Sequence, residues 1–236
     1  MERIISEGII YKLTKYTDNS AIASAYSYDF GKLKLFIPKA YTNKGGIQAM
    51  IPGEIDFLKK DTSDLNKFYS FRVNPEYTDY PANPKISLRL SLYFDIFDKF
   101  YDIDQKDSVI WTIIQKYKTL DYSKINIFGI YALLKNSGHM FNFHTCSSCG
   151  SNITDKAMLY MGQYLCSNCF VDNGYKTGAY INTVLRSLSK KQLYQNLKVS
   201  LYDELSILDL FIYHIESIIE KELKSYKLFK ELITTI

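Results

Sequence analysis

The sequence predicts an α+β protein: an N-terminal five-stranded barrel of the OB type, followed by an α-helical domain carrying an embedded four-cysteine zinc ribbon. Three observations predict it. The hydrophobic period is two up to residue 73 and close to the helical 3.6 after residue 84, so strands precede helices. Three of the five prolines, Pro75, Pro81 and Pro84, fall at the change of period. The four cysteines stand as two pairs, Cys146-x2-Cys149 and Cys166-x2-Cys169, with residues 150–165 between them. The domains expected are a barrel over 1–74, a Pro-rich linker over 75–84, and a helical domain over 85–236 with the ribbon inserted at 143–175.

In chain order, Ile9, Tyr11 and Leu13 alternate with more polar neighbours and define the first strand. Thr17-Asp18-Asn19-Ser20 turns the chain into a second strand at Ile22, Ser24 and Tyr26. Asp29-Phe30-Gly31 turns it again into Lys32 to Ile37. Gly45-Gly46 precedes a fourth strand within 47–58, where Pro52-Gly53 points to an edge or bulge, and residues 65–73 make the fifth. Five short strands in about seventy residues fit a small closed barrel.

Asn83-Pro84 reads as an N-cap with proline at the first helical position. Leu88, Leu92 and Ile96 line one helix; Ile110, Ile113, Ile114 and Tyr117 line the next, capped by Asp107 or Ser108. Residues 124–135 are apolar nearly all round and stop at Asn136-Ser137-Gly138, which predicts a buried helix. Helices follow the cysteines at 179–188 and 190–197. One long final helix is expected to carry Leu208, Phe211, Ile212, Ile215, Ile219 and Leu223 on one face.

A hydrophobic fraction of 47% against 23% charged residues suffices for a packed core and excludes global disorder. No apolar run approaches the 18 residues of a membrane span and the N-terminus lacks a signal-peptide pattern, so a cytoplasmic protein without a membrane partner is expected. A net charge of +4 permits a nucleic-acid partner without requiring one. The 21 tyrosines and 14 phenylalanines fit a base-stacking surface and a compositional bias equally well.

The cysteine spacing is that of a zinc ribbon, in which two short knuckles each offer two thiolates to one tetrahedral ion. Four thiolates fill the shell, so Cys146, Cys149, Cys166 and Cys169 are expected to hold one structural zinc, with His144 a bystander.

On the third strand, Leu33, Leu35 and Ile37 face one way and Lys32, Lys34 and Phe36 the other. Two ammonium groups and a ring on a solvent face suit a nucleic-acid strand, and Lys12, Lys15, Lys39 and Lys44 lie nearby in sequence. Lysines that keep a strand soluble and unpaired explain the pattern equally well.

Asp95, Asp98, Asp102, Asp104 and Asp107 do not form a calcium loop: counted from Asp102, position six is Asp107 where glycine is needed and position twelve is Ile113 where glutamate is needed. His139, His144 and His214 have no recognisable catalytic partners. Neither a Walker-type phosphate loop nor a Rossmann glycine pattern occurs, so no catalytic residue is assigned and the protein is expected not to be an enzyme.

The order of barrel, helices and ribbon resembles the bacterial recombination mediator RecO family over nearly the whole chain. The resemblance is carried by Gly8-Ile9-Ile10 with Tyr16 to Ile22, by Asp29-Phe30-Gly31-Lys32, by Phe128 to Leu134 with Ser137-Gly138, by Cys146-x2-Cys149-Gly150, and by Gly162 to Cys169. The chain departs from the family after the third strand, where Phe36-Ile37-Pro38-Lys39-Ala40 replaces a more basic stretch. The resemblance implies a nucleoid-associated repair protein that binds single- and double-stranded DNA and anneals complementary strands. With RecR it would help load RecA onto DNA coated by single-strand binding protein, whose acidic-hydrophobic tail would dock on the helical region near Lys221, Lys224 and Lys227. A zinc-ribbon adaptor that binds protein without touching DNA is the alternative, and a metal-dependent enzyme a third reading.

Overall fold

The computed structural model describes residues 2–41, 47–60, 63–118 and 121–236; Lys44 lies outside them. They fall into two compact units, residues 1–120 with 232–236, and residues 121–231. The division after 120 places residues 85–120 with the strands, not with the helical domain expected to begin at 85.

In the first unit, β1 (Glu2–Lys15), β2 (Ala21–Ser27), β3 (Gly31–Ile37), β4 (Pro52–Lys59) and β5 (Leu65–Val73) are the five expected strands, but β4 begins at Pro52 and Gly53 pairs regularly with Gly8 and Val73, so Pro52-Gly53 marks the start of a strand and neither an edge nor a bulge. They pair in the order β1-β2-β3-β5-β4, with β4 returning to β1, so the sheet closes into a barrel. All neighbours are antiparallel except β3 and β5. Leu33, Leu35 and Ile37 point into the barrel with Ile10, Ala23, Ala25, Ile55, Phe57 and Phe68, as period-two alternation requires. Bulges at Tyr11 on β1 and Tyr69 on β5 interrupt the register. Each turns an aromatic ring away from the barrel interior.

Two helices complete this unit. Asn83 caps α1 (Pro84–Phe100) through Lys85 N, with proline at the first turn, and Asp107 caps α2 (Ser108–Lys116) through Val109 N at 2.9 Å. The α1 helix lies on the outside of the barrel. Tyr11, made available by its bulge, stacks on Phe94 at 4.4 Å, and Tyr26 meets Phe97 edge-on at 5.8 Å. Such ring pairs contribute about 0.5–1.5 kcal/mol each beyond area burial. The Pro-rich segment is not a free tether. It folds into a 3-10 turn at Pro75–Tyr77, buries Tyr77 and Tyr80, and ties to α2 through a Tyr80 hydroxyl donating to Ile114 O at 2.8 Å.

Gly31 fixes how the α1–α2 loop meets the barrel. Its φ is +72°, and a Cβ there would sit 2.2 Å from Gln105 O. Lys32 N donates to Gln105 O and Asp104 N donates to Lys32 O, so the loop pairs with the start of β3. Only glycine permits both the turn and this close approach.

In the second unit, α3 (Tyr122–Asn136) is buried along most of its length, as its all-round apolar sequence predicts. It packs on α6 (Leu201–Ile219), and between them Ser123 and Asn126 donate to the fully buried Glu204 carboxylate. The ribbon strands β6 (Ala157–Tyr160), β7 (Gln163–Cys166) and β8 (Tyr175–Thr177) form a sheet in the order β7-β6-β8. The α4 (Ala179–Leu188) and α5 (Lys191–Asn196) helices and all but the last two residues of α7 (Lys224–Ile233) complete the unit. The expected single final helix is two: Glu220 adopts φ +52° and ends α6, and Leu223 lies in the break, its N–H donating to Glu216 Oε1. Lys221 is therefore in the connection, while Lys224 and Lys227 are on α7. No helix among the described residues is long and apolar enough to cross a membrane.

Candidate metal centre and basic barrel face

The first cysteine knuckle is built by backbone. Thr145 bridges to Asn152, Cys146 N donates to Ser151 O, and Gly150 N returns to Cys146 O at 2.9 Å. Gly150 sits at φ +74°, which lets the turn close behind Cys149. The second knuckle is the end of β7 running into a 3-10 turn at Ser167–Cys169. The two are locked together, because Ser147 N donates to Tyr164 O and Cys166 N donates to Cys146 Sγ at 3.3 Å.

All four sulfurs lie within 4.8 Å of one another, and none is disulfide-bonded. Cys149 Sγ and Cys166 Sγ are 3.7 Å apart. A tetrahedral metal with metal–sulfur bonds of about 2.3 Å separates its ligands by about 3.8 Å, so the cluster fits one ion. Cys146 is buried, and burial raises its thiol pKa. The N–H groups of Cys166, Cys149 and Ser148 more than offset this, bringing it to about 6. Cys169, hydrogen-bonded to the Cys149 sulfur, is pushed up to about 12. Four thiols this close cannot all ionise without a cation among them, and a divalent ion supplies that charge. His144 lies outside the cluster, its ring against Phe143. His214 is buried in α6, with Nε2 at 2.7 Å from His139 O; burial lowers its pKa, in keeping with a structural residue.

The acidic residues of 95–107 disperse into separate tasks. Asp95 pairs with Lys99, Asp104 with Lys59, and Asp107 caps α2 while accepting the Tyr101 hydroxyl at 2.5 Å. Asp98 turns towards the barrel, where it accepts from Tyr11 at 2.7 Å and pairs with Lys32 at 3.1 Å.

That pair corrects one expectation. Lys32 does point out of the barrel, but α1 covers it: it is 6% exposed, and its ammonium donates to Asp98 O and Tyr101 O. It does not present charge to solvent. Lys34 is half covered, its ammonium donating to Ser24 Oγ at 2.6 Å; burial lowers its pKa, and the neighbouring Lys32 and Lys12 lower it further, while Asp98 opposes them. Phe36 is half-buried with its ring edge-on to the exposed Tyr16 at 6.0 Å. Lys12 and Lys15 are exposed, Lys12 4.0 Å from Asp98 and Lys15 paired with Asp18; Lys39 is exposed in the turn after β3.

Register brings several of these together. Lys12, Ser24 and Lys34 form one row across β1, β2 and β3, and Thr14, Ile22, Phe36 and Lys67 form the next across β1, β2, β3 and β5. Sequence reasoning missed Lys67, Tyr69 and Arg3. The Tyr69 ring carries the Lys67 ammonium at 5.2 Å and the Arg3 guanidinium at 4.8 Å, and Arg3 is also held by Asp56. Alternation on β5 signals Lys67, whereas Tyr69 faces outward because of the bulge beside it.

The outer face of the barrel thus offers cations and rings in adjacent rows, and the ribbon offers a closed shell of sulfur. The sequence matches no protein-family model and no curated protein.

Proposed function

We propose that this protein is a non-enzymatic nucleic-acid-binding mediator of recombination and repair. It would bind single- and double-stranded DNA and anneal complementary strands, with its ribbon holding one structural zinc ion. The observation that carries the reading is the barrel: we read its order β1-β2-β3-β5-β4, with a parallel β3–β5 pair, as that of an OB-fold, whose outer surface commonly receives single strands. Lys12, Lys15, Lys34, Phe36, Lys39, Lys67 and Tyr16 supply the phosphate contacts and stacking surface such a strand needs. The shell of four thiolates leaves no open position for metal-assisted chemistry, which supports a structural zinc. Loading of RecA with RecR, and capture of the tail of single-strand binding protein, rest on the resemblance alone.

Fluorescence anisotropy with labelled single-stranded DNA, followed by annealing of complementary strands without ATP, tests the proposal. Binding that weakens with salt, together with ATP-independent annealing, is expected. Absence of both would favour a zinc-ribbon adaptor that binds protein alone.

A further inference from the structure

A cavity of about 250 Å³ opens between β8, α6 and α7 in the second unit. Three rings line it, Tyr175, Tyr213 and Tyr226, together with three carboxylates, Asp209, Glu216 and Glu222. Tyr175 and Tyr213 stand 5.6 Å apart with their planes tilted by 38°, so two neighbouring rings form part of the lining. Burial, with Asp209 adding to it, pushes the Tyr175 hydroxyl up to about 12, so that ring stays neutral at working pH.

The charges are not balanced. Asp209 is spoken for: it accepts the Tyr226 hydroxyl at 2.8 Å and pairs with Lys230 at 2.8 Å. Glu216 uses one oxygen on Leu223 N, and neither Glu216 nor Glu222 has an ion pair among those found in the described residues. Lys227 is the single cation of the lining. Neutral rings and excess carboxylate attract the same thing, a guanidinium or alkylammonium group. The volume lies below the roughly 300 Å³ at which pockets for drug-sized ligands begin, and suits one long side chain.

We propose that this cavity takes an arginine or lysine side chain from a basic polypeptide segment of a partner protein. The assignment is independent of DNA binding by the barrel. An acidic tail, expected from resemblance to dock near Lys221, Lys224 and Lys227, would find only Lys227 of the three in this lining, facing Glu216 and Glu222.

The test uses the full chain and a Gly/Ser peptide with one central arginine, followed by NMR titration. The arginine peptide should shift resonances of Tyr175, Tyr213 and Tyr226, and its citrulline counterpart, equal in shape but neutral, should bind about tenfold more weakly. Glu216→Gln with Glu222→Gln should weaken the arginine peptide to a similar degree. Glutamine at 216 keeps the oxygen that accepts Leu223 N–H, so an unchanged thermal midpoint checks that the fold survives. Equal binding of arginine and citrulline peptides, shifts confined to other surfaces, or no binding at all would overturn the proposal. So would spermidine binding as tightly as the peptide, or an acidic-hydrophobic tail peptide displacing it.

Discussion

The Lys32 ammonium donates to two backbone carbonyls at the end of α1 and pairs with Asp98, so it works as a bolt between barrel and helix. Removing one member of a buried pair strands the other, at a cost of about 3 kcal/mol. Lys32→Ala should therefore lower the urea midpoint by that equivalent, whereas Lys12→Ala, on the exposed side of the same carboxylate, should leave it nearly unchanged. The pair also sets a pH dependence. Burial alone would raise the Asp98 pKa, but the Tyr11 hydroxyl and the Lys32 and Lys34 ammoniums together hold it below the usual carboxylate range. The native state then binds fewer protons than the unfolded chain as pH drops below about 4, so this stabilisation is present above that pH and is lost on acidification. Urea midpoints between pH 6 and pH 3 should fall less steeply for Asp98→Asn than for the parent. Alternation along β3 did put Lys32 on the outer face. What alternation cannot convey is which outer residues a helix sixty residues downstream will cover, because that depends on tertiary packing and not on local period.

Among the elements, the ribbon was the most legible, because tetrahedral thiolate coordination imposes a spacing that few other arrangements share. Its two knuckles enclose Cys146 but leave Cys149 exposed, so an ion held by the four sulfurs would be within reach of chelators. Stripping it should release the sulfur shell first; the thiolates would take up protons and lose the ion that joins the two knuckles, and backbone exchange should rise over residues 143–175. Metal–cysteine sites contribute on the order of 10 kcal/mol of apparent binding energy in isolated fingers, yet here Tyr164 also anchors the module, hydrogen-bonded to Thr177 at 2.7 Å and to Asn182. Hydrogen exchange should thus show local loosening around the knuckles with α3 and α6 still protected, and added zinc should restore protection. Exchange unchanged by chelation would mean that the cysteines hold no stabilising ion. The break between α6 and α7 was not legible. Leu223 continues the helical period, and neither glycine nor proline marks the stop; a glutamate in the left-handed region ends the helix and Glu216 receives the next free N–H. Side-chain capping at that distance leaves no composition signal.

At the scale of the molecule, the change of hydrophobic period located the step from strands to helices, but period does not report which unit a helix joins. The α1 and α2 helices belong with the barrel because Tyr11, Tyr26 and Lys32 on the strands supply their partners, and because Gly31 admits the loop between them. If the protein binds DNA as proposed, that assignment narrows where the strand would lie. With Lys32 beneath α1, the open part of the barrel's outer face runs from Lys12 and Lys34 through Phe36 to Lys67. A strand following it would have its phosphates met by lysines and its bases by Phe36 and Tyr16. Each phosphate neutralised on single-stranded DNA contributes about −0.7 to the slope of log affinity against log salt. Lys12→Glu with Lys67→Glu should therefore weaken binding and flatten that slope by about 1.4 units. Lys176→Glu, an equally exposed charge reversal in the other unit, should leave the slope unchanged. Phe36→Ala should cost on the order of 1–3 kcal/mol without altering the slope, since a stacked base releases no counterion. If the Lys12/Lys67 variant keeps the parent's slope while Lys176→Glu loses it, the strand lies on the second unit and the barrel is a scaffold. Slope and intercept moving separately, one with charge and the other with the ring, is the signature of a face that grips phosphate and base at once.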